Sequence, residues 1–169
     1  MARALIVGCG CRGRLLGERL LAEGWAVRGT TRHEQSLGLI EAAGIEPALA
    51  DPDRVGTLVE LLADVAIVCV LLGSAEGEPE ALAEIHGFRL ERLMEKVVDT
   101  PVRGVVYEAA GSVDAELLEG GAEIVRAAGK TWRIPVEIVS AEPDSPREWS
   151  QAMLDAALGL LGEPGKSNS

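Results

Sequence analysis

ALIVGCGCRGRLLGERLLAEGWAVRGTTR, residues 4 to 32, is the stretch whose reading decides the fold. Ala4 to Val7 is continuously apolar, the pattern of a central parallel strand covered on both faces. Gly8, Gly10 and Gly13 follow as a G-x-G-x-x-G, and Gly17 extends the spacing by one helical turn. Arg12 to Glu23 reads as a helix with Leu16 and Leu20 on one stripe and Gly24 as its stop signal. Trp25 to Thr31 is a second strand, ending on Thr30-Thr31-Arg32. Strand, glycine turn, helix and strand together form one βαβ unit.

Outward from this unit the alternation continues. Glu34 to Ala43 predicts a helix with Leu37 and Ile40 inward, and Ile45 to Ala50 a third strand. Asp51-Pro52 reads as an N-cap with proline at the first helical position, opening a helix that carries Leu58, Val59, Leu61 and Leu62. Val65 to Leu72 is the most apolar segment and is placed at the sheet centre. Pro79 to about Val98 reads as the longest helix, with Leu82, His86, Leu90, Leu93 and Val97 on one face. Val102 to Tyr107 is the fifth strand, Asp114 to Gly129 a helix and Ile134 to Ser140 the sixth strand. Ser145-Pro146 caps a last helix reaching Leu161. Six strands alternating with helices through short connections call for an α/β fold. The expected form is a doubly wound parallel six-stranded sheet, a single three-layer Rossmann domain over residues 1–161. Residues 162–169 read as a flexible C-terminal tail.

The composition excludes several classes. With 169 residues, 47% hydrophobic and 25% charged, the chain suits one domain with one substantial core. A net charge of −11 argues against nucleic acid or an anionic membrane as partner. No apolar run reaches the ~20 residues of a membrane span, and the start runs straight into a strand, so a cytoplasmic protein is expected. The charge is unevenly spread. Residues 1–33 hold six basic residues (Arg3, Arg12, Arg14, Arg19, Arg28, Arg32) against Glu18 and Glu23, whereas the remainder holds 10 basic and 25 acidic. Positive charge therefore gathers at the glycine turn. Cys9, Cys11 and Cys69 make neither a disulfide framework nor a metal cluster and read as small packing residues.

Dinucleotide chemistry explains the glycine spacing. Gly8 permits the tight turn, Gly10 lets a pyrophosphate approach the backbone, and Gly13 lets the helix sit close to the sheet with its N-terminal amides aimed at the phosphates. The motif lies between a predicted strand and a predicted helix, which is its confirming context. At the end of the second strand a carboxylate would hold an NAD ribose, whereas an arginine accommodates a 2′-phosphate. This chain offers Arg32, with the hydroxyls of Thr30 and Thr31 in support and Arg12 as a second cation. NADP is the expected cofactor, ahead of NAD. Glu34 would be the ribose acid only if the strand ran two residues longer.

The quoted stretch, with Ala50-Asp51 after the third strand, resembles the cofactor half of the extended and atypical short-chain dehydrogenases/reductases. Within them, NAD-dependent epimerase/dehydratase-like proteins match its pattern. The resemblance implies that Asp51 contacts the adenine amino group and that Leu71, Leu72, Gly73 and Ser74 pass beside the adenine-side ribose. It also implies a Tyr-x-x-x-Lys dyad, which the chain lacks: Tyr107 is its one tyrosine and position 111 is glycine. The extended members carry a C-terminal substrate region as well, and this chain ends just after its sixth βα unit.

For chemistry there remain Ser74, Glu108 and Ser112 near the C-terminal ends of the fourth and fifth strands, where doubly wound sheets bind ligands. Glu108 would be a general base if burial raised its pKa, and Ser112 sits where the family keeps a catalytic serine. The competing structural reading gives Glu108 to a loop cap, the serines to turns, Asp51 and Asp53 to helix capping, and His86 to a buried hydrogen bond. No metal site is expected. Two functions follow: an atypical NADP(H)-dependent oxidoreductase acting on a small-molecule substrate, or a non-catalytic nucleotide-binding sensor or regulatory module. A homodimer through the last two major helices, near Trp132 and Trp149, is the expected assembly.

Overall fold

The computed structural model describes residues 2–161, so the tail expected over 162–169 lies outside the described residues. The elements run β1 (Arg3–Val7), α1 (Cys11–Ala22), β2 (Ala26–Thr31), α2 (Leu37–Ala42), β3 (Glu46–Leu49), α3 (Val55–Val59) and β4 (Ile67–Val70). Then follow α4 (Pro79–Ile85), α5 (Phe88–Val97), β5 (Gly104–Glu108), α6 (Ala115–Trp132), β6 (Val136–Val139) and α7 (Pro146–Leu160). The six strands form one sheet in the order β3-β2-β1-β4-β5-β6, and every pair is parallel. β1 and β4 are neighbours, with successive strands added outward on either side. The crevice between them is the topological switch point where open α/β sheets place their ligands.

The central strands have no polar face, because the sheet is covered on both sides. In β1, Ala4 and Ile6 enter one core while Leu5 and Val7 enter the other. Ile67 and Cys69 of β4 join the first, and Val68 and Val70 the second. Leu16 and Leu20 of α1, Ile40 of α2, and Trp149 and Met153 of α7 cover the first face. Leu58 of α3, Leu90 and Met94 of α5, and Val125 of α6 cover the second. This is the expected three-layer α/β Rossmann architecture.

Glycines set the closest layer contacts. A Cβ on Gly17 would run into Ile45 Cδ1, so α1 lies against β3's entry only because that side chain is absent. At Gly29 a Cβ would come within 2.6 Å of Cys9 Sγ, which places Cys9 in the packed interior. Burial raises the Cys9 thiol pKa to about 12, as befits a packing residue.

Three expected boundaries need correction. The helix read as Pro79 to Val98 is two helices broken at His86-Gly87, where Gly87 has φ −126° and ψ −107°. The break turns His86 inward: Nε2 lies 2.9 Å from the Leu72 carbonyl and Nδ1 2.6 Å from Tyr107 Oη. A carbonyl only accepts, so Nε2 carries the proton and Tyr107 donates to Nδ1. The longest helix is instead α6, at 18 residues. Asp51-Pro52 does not cap α3; Asp51 Oδ1 accepts from Asp53 N at 2.9 Å in a local turn, and the helix starts at Val55. Finally, the helix expected from Glu34 begins as a 3-10 turn over Glu34–Ser36.

Candidate functional site

A cleft of about 360 Å³ opens above the C-terminal ends of the central strands, near the lower end of the ~300–1,000 Å³ typical of ligand sites. Its walls come from the glycine turn, the ends of β2 and β3, the segment after β4, and β5's last residue. Of the residues singled out from sequence, Gly8, Gly10, Cys11, Arg12, Gly13, Thr30, Thr31, Arg32, Asp51, Leu71, Leu72, Ser74 and Glu108 all line it. Gly73 and Ser112 are not part of its wall.

The turn is held by backbone and by Thr30. Gly8 has φ +85°, in the left-handed region that favours glycine, and a Cβ there would meet the Leu71 carbonyl oxygen at 2.6 Å. The Gly8 amide donates to Thr30 Oγ1 at 3.1 Å and the Cys9 amide to the Thr30 carbonyl at 2.7 Å. Thr30 is itself buried, so it anchors the turn from below. Gly10 differs from its neighbours: a Cβ built on it meets nothing within 4 Å, leaving an open cradle in front of the backbone. α1 begins at the next residue with no side-chain cap, so its first amides face that space. Arg12 Nε is buried without a hydrogen-bond partner among the described residues. An open glycine cradle, uncapped helix amides and an orphaned guanidinium nitrogen fit an anionic phosphate group.

At the β2 end, Arg32 is exposed and its Nη2 donates to the Glu76 carbonyl at 3.1 Å, arching over the cleft mouth. β2 stops at Thr31, whose Oγ1 accepts from the His33 amide at 3.1 Å and bends the chain away. Glu34 therefore starts the 3-10 turn, outside the cleft wall, and the strand extension that would have made it a ribose acid does not occur.

At the β5 end, Glu108 is 1% exposed. Its Oε1 accepts from the Gly73 amide at 3.0 Å and its Oε2 from Trp149 Nε1 at 2.9 Å. Burial pushes the carboxyl above its ordinary 4.5, against the opposing pull of the Gly73 amide, the Arg12 charge and the Trp149 indole. Ser74 Oγ accepts from the Ser112 amide at 3.2 Å. Tyr107, 0% exposed, points to the opposite face of the sheet toward His86, and burial raises its phenol pKa.

Trp149 corrects one expectation. It is not on an outer surface available for pairing: it is fully buried, lines the cleft and carries the Arg12 guanidinium 5.9 Å above its ring. The first turn of a helix that follows a sheet's edge strand faces the C-terminal crevice, which is the signal that could have found it. Trp132 remains 47% exposed. His33, Ser36 and Glu76 also line the cleft and had no sequence signal beyond their nearness to Arg32 and Ser74.

No protein-family model matches the chain, and no curated protein does. Solved structures match its fold. UDP-glucuronic acid 4-epimerase from Bacillus cereus, in complex with NAD, superposes with a TM-score of 0.69 at 15% identity, over 83% of this chain and 56% of that one. UDP-glucose 4-epimerase from Thermotoga maritima, with UDP-glucose, gives 0.68 at 10% identity, over 80% and 54%. A short-chain dehydrogenase from Streptomyces avermitilis gives 0.63 at 17% identity, over 94% and 82%. The chain spans about half the length of the two epimerases. Sheet order and these superpositions together define a Rossmann fold with a cleft at its switch point. Among the described residues no helix is long and apolar enough to cross a membrane, and no group of three or more His, Cys, Asp or Glu could hold a metal ion.

Proposed function

We propose that this protein holds NADP(H) in the cleft above the glycine turn. The observation that carries the reading is the open face of Gly10 in front of the α1 amides, with Arg32 as the first residue after β2. In this arrangement the turn and Arg12 take the pyrophosphate, and Arg32 takes the 2′-phosphate. Asp51, at the end of β3, takes the adenine amino group, and Leu71 to Ser74 flank the adenine-side ribose. The hydride chemistry of a bound nicotinamide would be the cofactor's own. Equilibrium titration following NADPH fluorescence tests the reading; an unchanged signal at millimolar cofactor would refute it.

A second reading, an atypical oxidoreductase, is favoured by one observation: Glu108, with its carboxyl pKa raised by burial, lines the same cleft as Ser74. Glu108 would be the base, with Ser74 and Ser112 beside it. NADPH absorbance in the presence of aldehydes, ketones, quinones and nucleotide sugars separates the two. Turnover with any of these, lost in Glu108→Gln, selects the enzyme. In either case the reading is of a protein in the cytoplasm, with a homodimer built on α6 and α7 as the proposed assembly.

A further inference from the structure

The cleft is chemically lopsided. At the β2–β3 end its polar groups are available: among the described residues, Arg32 makes one bond, to a backbone carbonyl, and Asp51 keeps one carboxyl oxygen free of protein donors. Among the described residues, Ser36 Oγ and the His33 ring make no hydrogen bond within the protein. At the β4–β5 end Glu108 and Ser74 are engaged internally, whereas Arg12, which leans over Trp149, keeps its Nε without a partner among the described residues. Both Glu108 oxygens are taken, by the Gly73 amide and the Trp149 indole, and Ser74 Oγ accepts from the Ser112 amide.

The backbone closes the same end. The Val113 amide donates to the Gly73 carbonyl at 2.9 Å, lacing the loop after β5 onto the segment after β4. A Cβ on Gly73 would strike the Ala110 carbonyl oxygen, and one on Gly111 would strike the Gly73 carbonyl oxygen. Two backbones that close leave no slot between them for a flat ring. A nicotinamide ring needs a planar slot and partners for its carboxamide. The clasp of Gly73, Ala110 and Gly111 offers no such slot.

Resting on the reading of the cleft as an NADP(H) site, we propose that it recognises only the 2′-phosphoadenosine diphosphate half of its ligand. NADP+, NADPH and 2′-phospho-ADP-ribose are then equivalent ligands. The nicotinamide end projects from the Arg12–Trp149 wall toward solvent and contributes no affinity. A protein built this way follows the size of the 2′-phosphorylated adenine nucleotide pool and is blind to its redox poise.

Calorimetric titration of the full chain with NADP+, NADPH, 2′-phospho-ADP-ribose and nicotinamide mononucleotide tests this. The first three are expected to bind with Kd values within fivefold of one another, and the mononucleotide not to bind at a hundred times those concentrations. NADP+ or NADPH binding more than fivefold tighter than 2′-phospho-ADP-ribose would overturn the inference and leave the NADP(H) reading standing, as would binding of the mononucleotide. No binding by any of the four would overturn both.

Discussion

Trp149 and Glu108, 41 residues apart in the chain, share a buried hydrogen bond from the indole Nε1 to the carboxylate Oε2 at 2.9 Å. It ties α7 to the end of β5 at the rim of the cleft. Because Oε1 of the same carboxylate accepts the Gly73 amide, one side chain joins three segments: the loop after β4, the last residue of β5 and the first turn of α7. Trp149→Phe keeps most of the ring volume and removes the donor. It should cost about 1–3 kcal/mol of stability in urea denaturation. Glu108→Gln should cost a similar amount, because the amide NH2 would face one of two N–H donors. A loss under about 0.5 kcal/mol for both would show that the bond does not support the fold.

Two of the buried titratable groups, His86 and Glu108, set opposite pH dependences. Burial lowers the His86 pKa below 6.5, against the opposing pull of its hydrogen bond to the Leu72 carbonyl. Its contribution is fully present above 6.5 and is lost as pH falls toward its folded value. Glu108 runs the other way: with its folded pKa raised above 4.5, its contribution is fully present below 4.5 and is lost as pH rises through the folded value. Tm followed between about pH 7 and pH 5 should therefore fall less in His86→Gln than in the parent. Parallel curves would mean that His86 keeps an ordinary pKa.

Gly8 and Gly10 should separate fold from binding. Gly8→Ala places an L side chain at φ +85° against the Leu71 carbonyl and should destabilise by about 2 kcal/mol or more. Gly10→Ala meets nothing and has an ordinary extended backbone, φ −87° and ψ −153°, so stability should hold within about 0.5 kcal/mol. Its methyl group, however, stands in the open cradle and should weaken NADPH binding at least tenfold. Unchanged binding in a folded Gly10→Ala protein would move the phosphate away from the turn.

Arg32→Asp should lower NADPH affinity at least tenfold while raising that for NADH, since a carboxylate repels the 2′-phosphate and accepts ribose hydroxyls. Arg32 is exposed and its one bond goes to a backbone carbonyl, so Tm should hardly move. Equal NADPH affinity in both proteins would remove Arg32 from the site.

Much of the sheet and half of the cleft were legible in the chain. Ala4 to Val7, Ile67 to Val70 and the glycine spacing carry their geometry locally, because period and turn chemistry act over a few residues. The break at His86-Gly87 has a local mark in Gly87, where a Cβ would meet the Ala83 carbonyl oxygen at 2.6 Å, but the partners His86 finds, Leu72 and Tyr107, are distant in sequence. The role of Trp149 was not legible, because it depends on where α7 docks beside β5. Arg32 could be read as a cation at a strand end, but its reach to Glu76 comes only with the tertiary fold. The β5 end of the site is built from such contacts. Sequence offers Glu108, Ser74 and Ser112 there either as reacting groups or as loop and turn residues; the structure bonds Glu108 to the Gly73 amide and the Trp149 indole, and Ser74 Oγ to the Ser112 amide.

The glycine turn and Arg32 are proposed to hold a 2′-phosphorylated adenine nucleotide. Side-by-side calorimetry of the unmodified chain with NADPH and NADH tests it most directly. Saturable one-to-one binding of NADPH, at least tenfold tighter than that of NADH, is the expected result. NADH binding as tightly as NADPH, or neither binding, would contradict it.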